Sequence, residues 1–172
     1  HIICIALNES WGKETVEQFS RTIKKCIAQL NPQSQKEKKQ ELKESTPAAP
    51  VTNAAQENRL RVGIIGCGVM GQWHTQAYQK DGQARLVAFV DTDIEKAKKL
   101  ALPFQARSYR THQEMLAQEH LDGVSVCTVP STHREIVLDA LEAGVHVLCE
   151  KPLAISLAEA REMTDKARTK NK

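Results

Sequence analysis

Gly66-Cys67-Gly68-Val69-Met70-Gly71 follows directly on the apolar run Arg61–Ile65, and its G-x-G-x-x-G spacing is the one that opens a dinucleotide-binding βαβ unit. Each glycine has a separate task. Gly66 makes the tight turn out of the strand, Gly68 lets a pyrophosphate approach the backbone, and Gly71 lets the next helix pack on the sheet. The phosphates would face the helix N-terminus, where free N–H groups and the helix dipole favour negative charge. A second apolar run, Ala84–Val90, ends in Asp91. That acid lies about 20 residues after the last glycine, the distance at which a carboxylate binds the ribose 2′-hydroxyl of NAD.

Working outward, strand and helix patterns alternate. Strand-like runs are Leu60–Ile65, Arg85–Val90, Gly123–Val129 and Val145–Cys149, with a short one near Ala106–Tyr109. Helical periodicity covers Met70–Gln79, Asp93–Leu100, His112–Gln118, Thr132–Ala143 and Ile155–Lys170, and Gly144 reads as the C′ residue of the fourth. Strands apolar on both faces and separated by helices predict an α/β fold, a Rossmann-type doubly wound parallel sheet covered on both sides. Ligands bind such sheets at the carboxyl ends of the strands, where strand order reverses. Gly66, Asp91, Val129-Pro130 and Glu150 all fall at such ends.

Ahead of this unit, residues 1–30 read as a short strand and an amphipathic helix. Val16, Phe19, Ile23, Ile27 and Leu30 make one apolar face, and Thr15 with Gln18 fits a capping box. So small a piece cannot bury a core and must dock on something. Residues 31–59, rich in Lys, Glu, Gln, Pro and Ala, read as a flexible, disordered linker. The Rossmann domain is expected over 60–155, with 156–172 a helix leading onward.

The net charge is +3, but residues 60–154 hold 10 Lys/Arg against 11 Asp/Glu, which gives −1 there. The positive balance lies outside the expected domain and gives no case for nucleic acid. The five cysteines (Cys4, Cys26, Cys67, Cys127, Cys149) form no C-x-x-C pair and have no histidine at zinc spacing, so free thiols, no metal and a cytoplasmic location are expected. No run is long and apolar enough to span a bilayer, and no signal peptide is evident. The chain begins at His1 and reads as a processed or truncated piece.

Cys127-Thr128-Val129-Pro130-Ser131-Thr132-His133 precedes a helix, and Glu142-Ala143-Gly144-Val145-His146-Val147-Leu148-Cys149-Glu150-Lys151-Pro152-Leu153 follows it. With Gly66–Gly71 and His74, these stretches make about Leu60–Lys166 resemble the nucleotide-binding half of the glucose–fructose oxidoreductase / inositol dehydrogenase (Gfo/Idh/MocA) family. The resemblance implies an NAD(P)-dependent oxidoreductase acting on a small-molecule sugar, cyclitol or related polyol. It makes Lys151 catalytic, beside the nicotinamide and the substrate hydroxyl. Glu150 falls near the nicotinamide ribose, and a cis peptide before Pro152 would fix where Lys151 points. Thr128, Val129 and Pro130 would line the nicotinamide side, His133 would support that loop, and His74 would be a packing residue. Cys67, Val69 and Met70 belong to the same cofactor-binding loop as the three glycines.

The family continues into a second α/β domain that supplies much of the substrate pocket, acid–base residues and usually an oligomer interface. The sequence here stops short of it, so a fragment inactive alone and a homo-oligomer of the full-length protein are the expectations. Residues 1–30 are also similar to the C-terminal end of cysteine desulfurases and class V aminotransferases, which leaves a non-catalytic nucleotide-binding or interaction module with an aminotransferase-like tail as the alternative. A methyltransferase using S-adenosylmethionine fits less well, given the third glycine and the Glu-Lys-Pro step. Asp91-Thr92-Asp93 places two acids and no arginine where a 2′-phosphate would lie, which favours NAD over NADP.

Overall fold

The computed structural model describes residues 3–5 and 59–172. Six parallel strands form one sheet in the order β1-β6-β5-β2-β3-β4. They are β1 (Ile3–Ile5), β2 (Leu60–Ile65), β3 (Ala84–Val90), β4 (Arg107–Tyr109), β5 (Gly123–Val126) and β6 (His146–Glu150). The helices are α1 (Val69–Asp81), α2 (Ile94–Ala101), α3 (His112–Gln118), α4 (Pro130–Glu142) and α5 (Leu157–Lys170), with a 3₁₀ turn at Leu102–Phe104. The chain runs outward from β2 to β4, returns through α3 to β5 on the other side of β2, and continues to β6. The reversal in strand order therefore falls between β2 and β5.

Two apolar layers cover the sheet. One joins Val62, Ile64, Leu86 and Phe89 to Ala77, Tyr78 and Ala97 of α1 and α2. The other joins Ile65, Val90, Val126 and Val147 to Met115, Val137, Leu141 and Met163 of α3, α4 and α5. Both faces of β2 and β5 are thus dry, as the unbroken apolar runs require. Helix α5 is part of this packing: Met163 is fully buried, and Arg134 of α4 makes a two-pronged hydrogen-bonded pair with Glu162 at 2.6 Å.

Val62 pairs with Leu86 but Gly63 pairs with Ala88, so Val87 is one extra residue in β3. This bulge switches which face each later side chain takes, since alternation has a period of two. It was not legible as a break in Ala84–Val90. Gly63 stands opposite; a Cβ there would lie 2.8 Å from Met115 Sδ.

Boundaries follow local chemistry. β5 stops at Val126 instead of Val129, and α4 starts at Pro130 instead of Thr132, because Pro130 takes the first helical position, where its missing N–H costs nothing. Gly144, at φ 77°, ends α4: its N–H donates to Leu141 O at 3.1 Å and that of Val145 to Ala140 O at 2.9 Å. That is the Schellman pattern. Thr111 and Glu114 form a full capping box on α3.

The edge beside β6 is taken by β1, in register Ile3↔Leu148, Cys4↔Cys149 and Ile5↔Glu150. The expected helix within 1–30 and the linker before Arg59 lie outside the described residues.

Phe89 is fully buried and its ring stacks on Phe104 at 5.8 Å. Phe89→Ala should lower the unfolding free energy by about 3–5 kcal/mol in urea titrations, as large-to-small changes in a close-packed core do.

Candidate nucleotide-binding rim

Hydrogen bonds between strand ends level the carboxyl edge of the sheet. Gly66 N–H donates to Val90 O (2.8 Å), Cys127 N–H to Ile65 O (2.7 Å) and Asp91 N–H to Tyr109 O (3.2 Å). The ends of β2, β3, β4 and β5 are held together in this way, and β6 adds Glu150 beside β5.

The glycine loop has the geometry its spacing predicts. Gly66 has φ +93°, and a Cβ there would lie 2.7 Å from Cys127 O, so a side chain would collide with the end of β5. At Gly71 a Cβ would lie 2.0 Å from Gly66 O; the helix is seated directly on the turn. Gly68 is different: a Cβ there meets nothing within 4 Å. It caps α1 with no side-chain hydrogen bond to the first N–H groups of the helix. An open concavity with unclaimed donors at a helix N-terminus suits a pyrophosphate. Cys67 is buried, with its N–H donating to Asp91 Oδ2 at 2.9 Å and its thiol to Val90 O at 3.5 Å. Burial, then the Asp91 charge, pushes that thiol up to about 12. Val69 is exposed at the start of α1, and Met70 is half-buried behind it.

Asp91 thus spans from the glycine loop to the start of α2: Oδ2 accepts from Cys67, and Oδ1 accepts from Asp93 N–H at 2.9 Å. Arg110, from the loop after β4, places Nη1 3.3 Å from Thr92 O. The sheet order makes β3 and β4 neighbours, which a gap of 18 residues in sequence conceals.

Opposite, Thr128 and Thr132 share a hydroxyl contact of 2.8 Å, Val129 is exposed, and Pro130 opens α4. His133 is fully buried and bridges two loops, with Nε2 3.1 Å from Thr128 O and Nδ1 3.1 Å from Pro152 O. The Lys151-Pro152 bond is cis.

Glu150 is buried, and its Oε1 lies 2.7 Å from Nε2 of His74 on α1. A carboxylate only accepts, so Nε2 donates. Burial lowers the His74 pKa and outweighs the opposing pull of Glu150, leaving a neutral imidazole. Glu150 Oε2 accepts the Lys151 N–H at 3.1 Å, while the Lys151 side chain stays exposed. Burial, with the Glu150 charge second, also holds the Cys127 thiol well above its ordinary value. The sequence identified each partner of the His74–Glu150 contact but not the contact, which joins residues 76 apart.

Away from the rim, His112, Glu135 and Asp139 bring ligand-type atoms within 4.8 Å of one another. His112 Nε2 is already 2.8 Å from Asp139 Oδ2, and Gln113 donates to both carboxylates. Among the described residues no helix is long and apolar enough to cross a membrane.

A family model described as an oxidoreductase family with an NAD-binding Rossmann fold matches residues 60–172. The chain belongs to the Gfo/Idh/MocA family. It is 42% identical to D-glucoside 3-dehydrogenase of Escherichia coli over 118 residues, 67% of this chain and 34% of the relative. With D-apiose dehydrogenase of Paraburkholderia graminis it shares 38% identity over 106 residues, 61% of this chain and 28% of the relative. The crystal structure of GenD2 from gentamicin A biosynthesis, in complex with NAD, superposes with a TM-score of 0.64 at 32% identity, covering 74% of this chain and 36% of that one. The chain spans about a third of the length of the curated relatives it matches. NAD is the cofactor this Rossmann fold binds, and the open cradle at Gly68 fits it. The match begins at residue 60, and no comparison shows the resemblance to cysteine desulfurases expected for residues 1–30.

The buried pair gives a pH test. The unfolded His74 ring takes up a proton near pH 6.5 and the folded ring only at lower pH. Below pH 6.5 the unfolded state therefore binds more protons, and the unfolding free energy falls. His146, held down to about 4 by burial and by Lys172, acts with the same sign. Urea midpoints should drop from pH 7.5 to 5.5, and less so in His74→Gln. His74→Leu, which deprives Glu150 Oε1 of its donor, should cost about 2–3 kcal/mol at pH 7.5.

Proposed function

We propose that this chain holds NAD along the carboxyl rim of its sheet and that the protein oxidises an alcohol carbon of a sugar, cyclitol or related polyol. The observation that carries the reading is the convergence of Gly66, Asp91, Thr128 and Glu150-Lys151 at the ends of four strands flanking the reversal in strand order. The printed activities of the relatives, a glucoside and an apiose dehydrogenase, support the substrate class.

The residues divide the work by position. Gly66, Cys67, Gly68, Val69, Met70 and Gly71 hold the pyrophosphate against the N-terminus of α1, with Gly68 leaving the space it fills. Asp91, whose oxygens are aligned by two backbone N–H groups, accepts from the adenosine ribose. Thr128, Val129 and Pro130 line the nicotinamide end, and His133 ties that loop to the segment after Lys151. Val69 and Val129 are exposed apolar side chains on either side of the reversal, suited to cover a planar ring. Glu150, fixed by His74, faces the nicotinamide ribose.

When bound, NAD supplies the acceptor for the hydride leaving the alcohol carbon. Lys151 Nζ donates a hydrogen bond to the alcohol oxygen and stabilises the negative charge left there as the hydroxyl proton passes to water. Its exposure leaves it free to reach a substrate, and the Glu150 contact to its backbone N–H fixes the root of the side chain.

Nicotinamide fluorescence of NADH tests the binding half. Gly68 has φ −72°, which alanine accepts, but it is the N-cap of α1, where alanine is disfavoured, so Gly68→Ala should lower the unfolding free energy by no more than about 1 kcal/mol. The same variant should weaken NADH at least about tenfold, roughly 1.4 kcal/mol, because its methyl occupies the cradle. Undiminished affinity would sink the placement. In the full-length protein, Lys151→Met should keep NADH binding while polyol-dependent NAD reduction falls by about 100-fold or more, the scale of losing a preorganised donor.

A further inference from the structure

We propose that His112, Glu135 and Asp139 form a site for one first-row divalent transition-metal ion, of the zinc class, which clips α3 to α4. It stands apart from the nucleotide rim and uses none of the residues assigned there.

The fold buries the histidine and aims it at the acids. His112 opens α3, is 8% exposed, and places Nε2 2.8 Å from Asp139 Oδ2. Glu135 and Asp139 are one turn apart on α4, so both carboxylates project from one side of that helix. One ligand-type atom from each of the three residues lies within 4.8 Å of the others. Tetrahedral bonds of roughly 2.1 Å would set such atoms about 3.4 Å apart, so small side-chain rotations suffice to close the set around an ion.

Charge favours a cation here. Like charges four residues apart on a helix repel. Elsewhere α4 matches its ionic groups: Glu142 pairs with Lys166 and Lys170, and Arg134 pairs with Glu162. Glu135 and Asp139 have no lysine or arginine partner among the described residues. Their other neighbour, Gln113, is neutral, and its amide donates to Glu135 Oε1 at 3.2 Å and to Asp139 Oδ2 at 3.4 Å. Hydrogen bonds of this kind hold ligating carboxylates in position. Two carboxylates, a neutral imidazole and a divalent ion would leave the site uncharged.

The donor set selects the ion. An imidazole nitrogen beside carboxylate oxygens suits zinc, cobalt or nickel, whereas magnesium and calcium take oxygen ligands. The ring proton has a place to go. Nδ1 of His112 has no partner among the described residues, so the proton shifts from Nε2 to Nδ1 as Nε2 gives its lone pair to the metal. Glu135 is exposed, and water from that side fills the remaining position. The cluster holds no cysteine, which is why cysteine spacing gave no sign of it.

The test is a Co²⁺ titration of the full chain, read by visible d–d absorption, on the unmodified protein and on Glu135→Gln, Asp139→Asn and His120→Ala. Cobalt is the probe because thiolate ligation adds an intense charge-transfer band, which separates this site from the five cysteines. One equivalent should bind without that band, Zn²⁺ should displace it, and the urea midpoint should rise with the metal, since only the folded chain assembles the site. Glu135→Gln and Asp139→Asn should each weaken binding at least about tenfold, the scale on which even the outer partners of metal ligands act. His120→Ala, which removes an exposed imidazole just beyond α3, should leave the affinity unchanged. Glu135→Gln alters an exposed side chain and so keeps the fold readable; native melting with undiminished affinity in that variant would overturn the proposal. So would a thiolate band at the first equivalent, a loss of affinity in His120→Ala, or no binding below millimolar cobalt.

Discussion

The absence of one atom seats the rest of this structure. A Cβ on Gly71 would lie 2.0 Å from the Gly66 carbonyl oxygen, so α1 can rest on the turn that ends β2 only because no side chain is there. Thr75, one turn on, donates its hydroxyl to Gly71 O at 2.7 Å within the same helix. With the helix so placed, its first N–H groups open toward Gly68, and His74 reaches Glu150 at the end of β6. A shift of α1 by the thickness of a methyl group would break the buried pair and fill the cradle together. The glycine-loop end and the Glu150-Lys151 end of the rim are therefore one mechanical unit, although they lie far apart in the sequence.

The second constraint is the level of the strand ends. Parallel strands joined by helices carry no local guarantee that they stop at the same height. Here each end donates to its neighbour's last carbonyl, from Asp91 to Tyr109, Gly66 to Val90 and Cys127 to Ile65. The bulge at Val87 belongs to the same problem. An unbroken β3 would present Asp91 on the other face, away from Cys67, because one residue of slip exchanges the faces of every later side chain. The bulge leaves the carboxylate where the glycine loop can donate to it.

These two constraints explain what the sequence could and could not reveal. Glycine spacing, the acid after the second apolar run and the two-faced apolar strands are local patterns, and they were enough for the fold class and for most of the rim. Gly144 was legible for the same reason, since a cap is written within a few residues. What was hidden depends on strand order. Arg110 reaches Thr92 only because β4 pairs with β3, and His74 reaches Glu150 only because β5 and β6 lie on the far side of β2. Neither juxtaposition has a spacing that could announce it. Likewise Glu119, whose carboxylate accepts from Arg61, Arg107 and Tyr109, reads in sequence as an ordinary surface acid after a helix.

Glu150 and Lys151 show why a short charged step at a strand end can carry two separate jobs. Alternation turns one side chain inward and the next outward. The inward carboxylate enters a low-dielectric space and requires donors, which it finds in a neutral imidazole and a backbone N–H. A protonated His74 would satisfy the charge better, but burying a second ion costs more than the pair returns, and desolvation keeps the ring neutral. The same environment holds the Cys67 and Cys127 thiols protonated, so they line the interior as packing groups and not as nucleophiles. Glu150 is thus held inside the protein by two donors, and the lysine beside it in sequence stands outside, in the open.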